Sequence, residues 1–157
     1  MGFAKLSLKG RALRLLAQRE HSRLELETKL AQHVEEGENL AAILDDLEAR
    51  QFINPERVAA SVVHRRAARM GTQRVVHELR SKGLDDALIK ATAAQLQATE
   101  FERAAAVWKS KFGGRPPAET PQERAKQMRF LASRGFSGEL VRKVLKTAGK
   151  DDGDDVA

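Results

Sequence analysis

The chain has 157 residues, of which 32% are charged and only 4% aromatic, with no Tyr; this balance suits helical bundles or repeats and tells against sandwiches and barrels. Lys and Arg number 28 against 22 Asp and Glu, a net charge of +6, but Asp151, Asp152, Asp154 and Asp155 fall in the last seven residues, so the remainder sets 28 against 18, or +10, and favours phosphate or acidic protein partners. The lack of cysteine excludes disulfides and thiolate chemistry, as expected in the cytoplasm, and the longest uncharged run, between Lys90 and Glu100, is too short to cross a bilayer or serve as a signal peptide core.

In chain order, a first helix is predicted over about 8–19. Ser22 with Glu25 makes a capping box that opens a second, about 22–34, where Leu26, Leu30 and Val34 keep a helical period. Leu40, Ile43, Leu44 and Leu47 carry a third over about 39–50. Asn54-Pro55 starts a fourth, about 55–69, because proline at the first helical position loses no bond. A fifth, about 72–82, ends at Gly83, and Asp85 caps a sixth over about 85–98. The seventh, about 100–112, aligns Phe101, Ala105, Trp108 and Phe112 on one face. Thr120, Pro121 and Glu123 open the eighth, about 121–134; Gly135 ends it, and Ser137 caps a ninth, about 137–147, bearing Leu140, Val141, Val144 and Leu145.

Internal similarity groups these helices. Leu79-Arg80-Ser81-Lys82-Gly83-Leu84, followed by Leu88-Ile89, matches Leu131-Ala132-Ser133-Arg134-Gly135-Phe136, followed by Leu140-Val141, at identical spacing; Leu47-Glu48-Ala49-Arg50-Gln51-Phe52 is a weaker third copy. Each presents an apolar residue, a cation in the last helical turn, a tight turn and an apolar plug. The expected fold is therefore all-α: three tandem three-helix repeats, nine helices, in an elongated, curved arrangement. The expected divisions are 1–52, 53–98 and 99–149, with a Gly/Pro loop at 113–120 and an acidic disordered tail at 150–157.

No catalytic apparatus is visible, and no cofactor or metal is expected. His21, His33, His64 and His77 are scattered, and although His77-Glu78 begins like a zinc-peptidase motif, Ser81 stands where its second His belongs. There is no phosphate-binding loop, dinucleotide motif or nucleophile elbow. Trp108 and Phe112 follow core spacing rather than forming a base-stacking platform. The segment Leu79 to Leu88 has the length of a DNA-reading helix-turn-helix, yet its repetition is architectural and no helix is rich in the Asn, Gln and Arg that read base edges.

What remains is cation placement. Arg65, Arg66, Arg69, Arg74, Arg80 and Lys82 crowd the middle of the chain with only Glu78 opposing them, while Lys9, Arg11, Arg14 and Arg19 load the first helix and Arg129 and Arg134 the eighth. A cluster of this kind outlines a binding surface more firmly than any one member.

Several segments, in order, resemble the RecX family of regulatory proteins: Leu16-Ala17-Gln18-Arg19-Glu20-His21-Ser22 with Glu25-Leu26 and Lys29-Leu30; Leu44-Asp45-Asp46-Leu47; Gly71 and Arg74 with Glu78-Leu79 and Lys82-Gly83; and Phe130-Leu131 with Arg134-Gly135-Phe136. The pattern departs from the family at Ile53-Asn54-Pro55, where an acidic pair is common, and at Val58, where an aromatic is common. The resemblance implies three tandem three-helix repeats and a negative regulator of the RecA recombinase. Such a protein lodges in the groove of the RecA-DNA filament, limits its extension and lowers ATP hydrolysis and strand exchange, in DNA recombination and repair under the SOS response. On that footing the contact residues are expected to be Arg65, Arg66, Arg69, Arg74 and Lys82, assisted by Arg14, Arg19, Arg129 and Arg134. The expected partners are the RecA filament and, weakly and without sequence preference, single- or double-stranded DNA; the chain is expected to be a monomer away from membranes. The alternative is a stand-alone DNA-binding helical repeat protein with no recombinase specificity.

Overall fold

The computed structural model describes residues 5–113 and 118–151. Among them are nine α-helices and no strand: α1 (Leu8–Gln18), α2 (Arg23–Leu30), α3 (Leu40–Ala49), α4 (Pro55–Arg66), α5 (Thr72–Ser81), α6 (Asp86–Ala98), α7 (Glu100–Phe112), α8 (Pro121–Ser133) and α9 (Gly138–Asp151). Every helix expected from the sequence is present. A 3-10 turn, Ala31–His33, rather than α-helix, completes the stretch after α2. Part of the Gly/Pro loop, 114–117, and most of the acidic tail, 152–157, lie outside the described residues.

Local chemistry fixes the helix starts. Ser7, Asn39, Asn54, Asp85 and Thr120 each accept a hydrogen bond from the backbone N–H three residues on, satisfying a donor that the helix itself leaves unpaired, at about 1 kcal/mol per cap. Ser22 and Glu25 form the full reciprocal box. Two ends differ from expectation for physical reasons. α4 stops at Arg66 rather than near 69, and the Arg103 guanidinium, reaching over from α7, donates to the carbonyls of Ala67 and Met70 at 2.8 and 2.7 Å, satisfying acceptors that the end of the helix leaves free. α9 continues to Asp151, since nothing after Leu145 forbids helix and Gly149 costs only about 1 kcal/mol.

Three separate apolar cores follow. Leu8, Ala12, Leu26, Leu30, Leu44, Leu47 and Ile53 are buried together within α1 to α3 and the residues just after them. Ala59, Val62, Val75, Leu79, Ile89 and Leu96 form the core of α4 to α6, and Ala104, Leu131, Phe136, Val141 and Val144 that of α7 to α9. Helices pack within their own trio, and α6 against α7 is the one substantial helix packing between trios among the described residues.

The repeated turn has the same geometry in all its copies. Phe52, Leu84 and Phe136 donate their backbone N–H to the carbonyls of Leu47, Leu79 and Leu131, five residues back, the bond that closes a helix ending in a left-handed residue. That residue is Gly83 at φ 74°, Gly135 at 92° and, in the weaker copy, Gln51 at 64°. The 47–52 copy closes the third helix of its trio, whereas the other two join second to third helices, so it shares the turn and not the position in the repeat.

Those two glycine turns join the trios. The turn between α8 and α9 packs on the start of α5: Gly71 N–H donates to the Arg134 carbonyl at 2.7 Å, a methyl at Gly71 would overlap the Gly135 carbonyl, and one at Gly135 would run into Arg74 Cβ. Likewise the turn between α5 and α6 packs on the start of α2, where a methyl at Gly83 would sit 2.9 Å from Leu24 Cδ2. In both seams the second turn of one trio docks on the N-terminus of the preceding trio's second helix.

Gly37, with φ 83° and nothing near its missing side chain, isolates the backbone component of this effect. Gly37→Ala is expected to cost about 1–2 kcal/mol of left-handed strain, and Gly135→Ala about 2–4 kcal/mol because overlap is added to strain. Urea denaturation of the two variants measures the difference; equal losses would show that the seam carries no steric requirement.

Candidate basic interface

The structure sorts the expected contact residues into two groups. Arg19, at the end of α1, and Lys82, at the end of α5, converge on Glu25 at 2.6 and 2.9 Å. The Lys82 and Glu25 side chains are only 12% and 15% exposed, so this pair lies inside the seam between the first and second trios. Burial alone would raise the Glu25 carboxyl, but hydrogen bonds from Arg19, Lys82 and the Ser22 N–H outweigh it and hold the pKa down at about 2. His21 beside it is buried, its Nδ1 3.0 Å from the Arg19 carbonyl and its Nε2 3.2 Å from Lys29 Nζ; burial lowers its pKa, with the Arg19 and Lys29 charges adding to the effect. Arg57 strengthens the same seam by reaching Glu20 at 2.9 Å and the Gln51 carbonyl at 2.6 Å. Arg19 and Lys82 therefore serve the joint.

The second group faces outward. Arg65 and Arg66, on the last turn of α4, share Glu78 at 3.7 and 3.3 Å, loose and half-exposed pairs of small energetic worth that leave net positive charge. Arg69, in the α4–α5 turn, and Arg74, on α5, are exposed and without a carboxylate partner among the described residues. Arg66, Arg74, Met70, His77 and Glu78 line a cleft of about 380 Å³ between α4 and α5. Arg134 joins this group across the seam, because its turn is the one docked on Gly71, and its guanidinium lies 5.1 Å from the Phe130 ring centre. Arg129 is exposed on α8, and Arg14 is exposed on α1 in the first trio. The cations brought together are thus Arg65, Arg66, Arg69, Arg74 and Arg134.

Two residues that position this face carried no signal in the sequence. Arg103 is half-buried and donates to five acceptors from α7: the carbonyls of Ala67, Met70 and Leu96, and the hydroxyls of Thr72 and Thr99. Burial lowers its pKa, opposed by the Glu100 charge. Glu100 in turn accepts from Thr72 N–H at 3.1 Å, capping α5 from outside because Gly71 has no side chain to do so. Both resemble ordinary surface charges until the second and third trios are placed side by side. The Trp108 indole, as its spacing suggested, packs inward and donates to Gln127 at 3.0 Å, beside the buried Phe112.

Comparison with known proteins supplies a lineage. Residues 56–92 match the family model described as RecX, second three-helix domain, and residues 98–145 match RecX, third three-helix domain. The Regulatory protein RecX of Leptothrix cholodnii is 51% identical over 144 residues, spanning 92% of this chain and 90% of that protein. That of Ralstonia nicotianae is 50% identical over 152 residues, 96% and 94% of the two chains. Among solved structures, RecX from Lactobacillus salivarius superposes with a TM-score of 0.74 at 18% identity, covering 90% of this chain and 94% of that one, a likeness of fold.

The Glu25 node makes stability pH-dependent. A carboxyl held below its ordinary 4.5 contributes stability that is complete above that value and is lost as pH falls toward about 2. Glu25→Gln is therefore expected to cost about 2 kcal/mol at pH 7, with solvent screening allowed for, and progressively less below pH 4. Chemical denaturation at both pH values checks this, and a penalty that does not change with pH would refute the assignment.

Proposed function

Because the chain belongs to the RecX family of regulatory proteins, we propose that it is a negative regulator of a RecA recombinase, lodging in the groove of the RecA-DNA filament and limiting its extension. Reduced ATP hydrolysis and strand exchange follow, since both depend on a continuous filament. The observation that carries this reading is the outward cation group at the junction of the second and third trios, where Glu78 is the one carboxylate among the described residues that pairs with Arg65, Arg66, Arg69, Arg74 and Arg134. A row of trios fixed at glycine seams spans more of a polymer than a single globule of 17.4 kDa would, and positive charge along it is drawn to acidic filament surface and, secondarily, to DNA phosphates. Inhibition then arises from occupancy: the protein blocks the groove and performs no chemistry. None of the described helices is long and apolar enough to cross a membrane.

The test is DNA-dependent ATPase of the recombinase with this protein added well below stoichiometry. Blocking of filament extension predicts strong loss of activity, whereas competition for DNA predicts loss only near saturation of the lattice. Replacing Arg65, Arg69 and Arg74 together by Glu is expected to weaken inhibition about tenfold or more while helicity by circular dichroism is unchanged. Full inhibition by that variant would reject this face as the contact.

A further inference from the structure

A second cleft, of about 370 Å³, opens across the joint between the second and third trios. Its floor is apolar, built from Ala106 and Val107 on α7 and Phe130 on α8, and its rim is cationic, carrying Arg69, Lys111 and Arg134. Among the described residues no carboxylate lines it, and none of the three cations has an acidic partner. Phe130 is held edge-on against the buried Phe112, with ring centres 5.4 Å apart at 88°, while Lys111 Nζ and Arg134 Cζ lie 5.5 and 5.1 Å from its ring centre.

We propose that this cleft is a binding site for an acidic peptide segment carrying one large apolar side chain: the side chain fills the floor, and flanking carboxylates take Arg69, Lys111 and Arg134. The proposal rests on the regulatory reading and deepens it, because it makes the principal contact one with protein. Nucleic acid fits the same features less well. A phosphodiester has nothing to place on Ala106 and Val107, the apolar part of the floor that a large aliphatic or aromatic side chain would cover. Desolvated apolar anchors ringed by polar contacts are where protein interfaces concentrate their affinity.

The test uses the full chain at near-physiological salt and a fluorescein-labelled peptide of alternating Asp and Glu with one central Phe, followed by anisotropy. A peptide with Ser in place of Phe and an oligothymidylate of equal charge are the competitors. The Phe peptide is expected to bind about tenfold or more tightly than the Ser peptide, to resist the oligothymidylate, and to lose about tenfold in affinity to K111Q/R134Q protein of unchanged helicity. Equal affinity for the two peptides, displacement by oligothymidylate as effective as by the Phe peptide itself, or full binding by K111Q/R134Q would each overturn the site. The comparison of the two peptides needs no variant, so a misfolded mutant does not remove the test. Wild-type protein that inhibits the recombinase ATPase but ignores the Phe peptide would end this proposal and leave the regulatory reading standing. Peptide binding without inhibition of the ATPase would do the reverse.

Discussion

A helix start that accepts the turn of the next trio is the interaction on which the rest depends. Each trio's core is small, and units of this size gain much of their stability from their neighbours. The joint is economical because it pairs groups that helices leave unsatisfied. At Gly71 an N–H at the start of α5 meets the Arg134 carbonyl at the end of α8, so the positive end of one helix dipole faces the negative end of another. That approach requires Gly71 and Gly135 together, since a side chain at either position would push the backbones apart. Arg103 and Glu100 then complete the junction from α7, satisfying the end of α4 and the start of α5.

The same constraint decides which cations are available to a partner. Arg19 and Lys82 are consumed by Glu25, where the first seam needs a charge pair with its hydrogen bonds satisfied. Arg103 is consumed as a five-acceptor cap. Once those are subtracted, the outward charge concentrates at the second seam, where Arg69, Arg74 and Arg134, from different trios, are held together by the docked turn. Function on this account is a product of the joint rather than of any single helix.

The helices themselves were legible in the sequence because their signals are local. Ser22 with Glu25, Asn54-Pro55, Asp85 and Thr120 with Glu123 act within four residues, and every one caps the helix it announced. The glycine turns were legible as repeats, though the 47–52 copy repeats only a local turn, with Gln51 tolerated at positive φ. The seams were not legible. Glu25 with Lys82 spans 57 positions and Arg103 with Ala67 spans 36, and neither partner betrays in its own neighbourhood that it will be drawn into an interior. For the same reason a count of basic residues could not separate Lys82, which serves the joint, from Arg74, which faces outward.

The central claim is that the glycine seams fix three separately cored trios into one rigid row. Because the chain has no cysteine, single labelling sites can be placed cleanly at exposed positions such as Gln32 in the first trio and Gln122 in the third. Pulsed dipolar spectroscopy between spin labels at those positions should give one narrow distance distribution for the wild-type seams, and a broad one once Gly135→Val and Glu25→Gln are introduced with helicity retained. A distribution already broad in the wild type, or one left unchanged by both substitutions, would contradict the account.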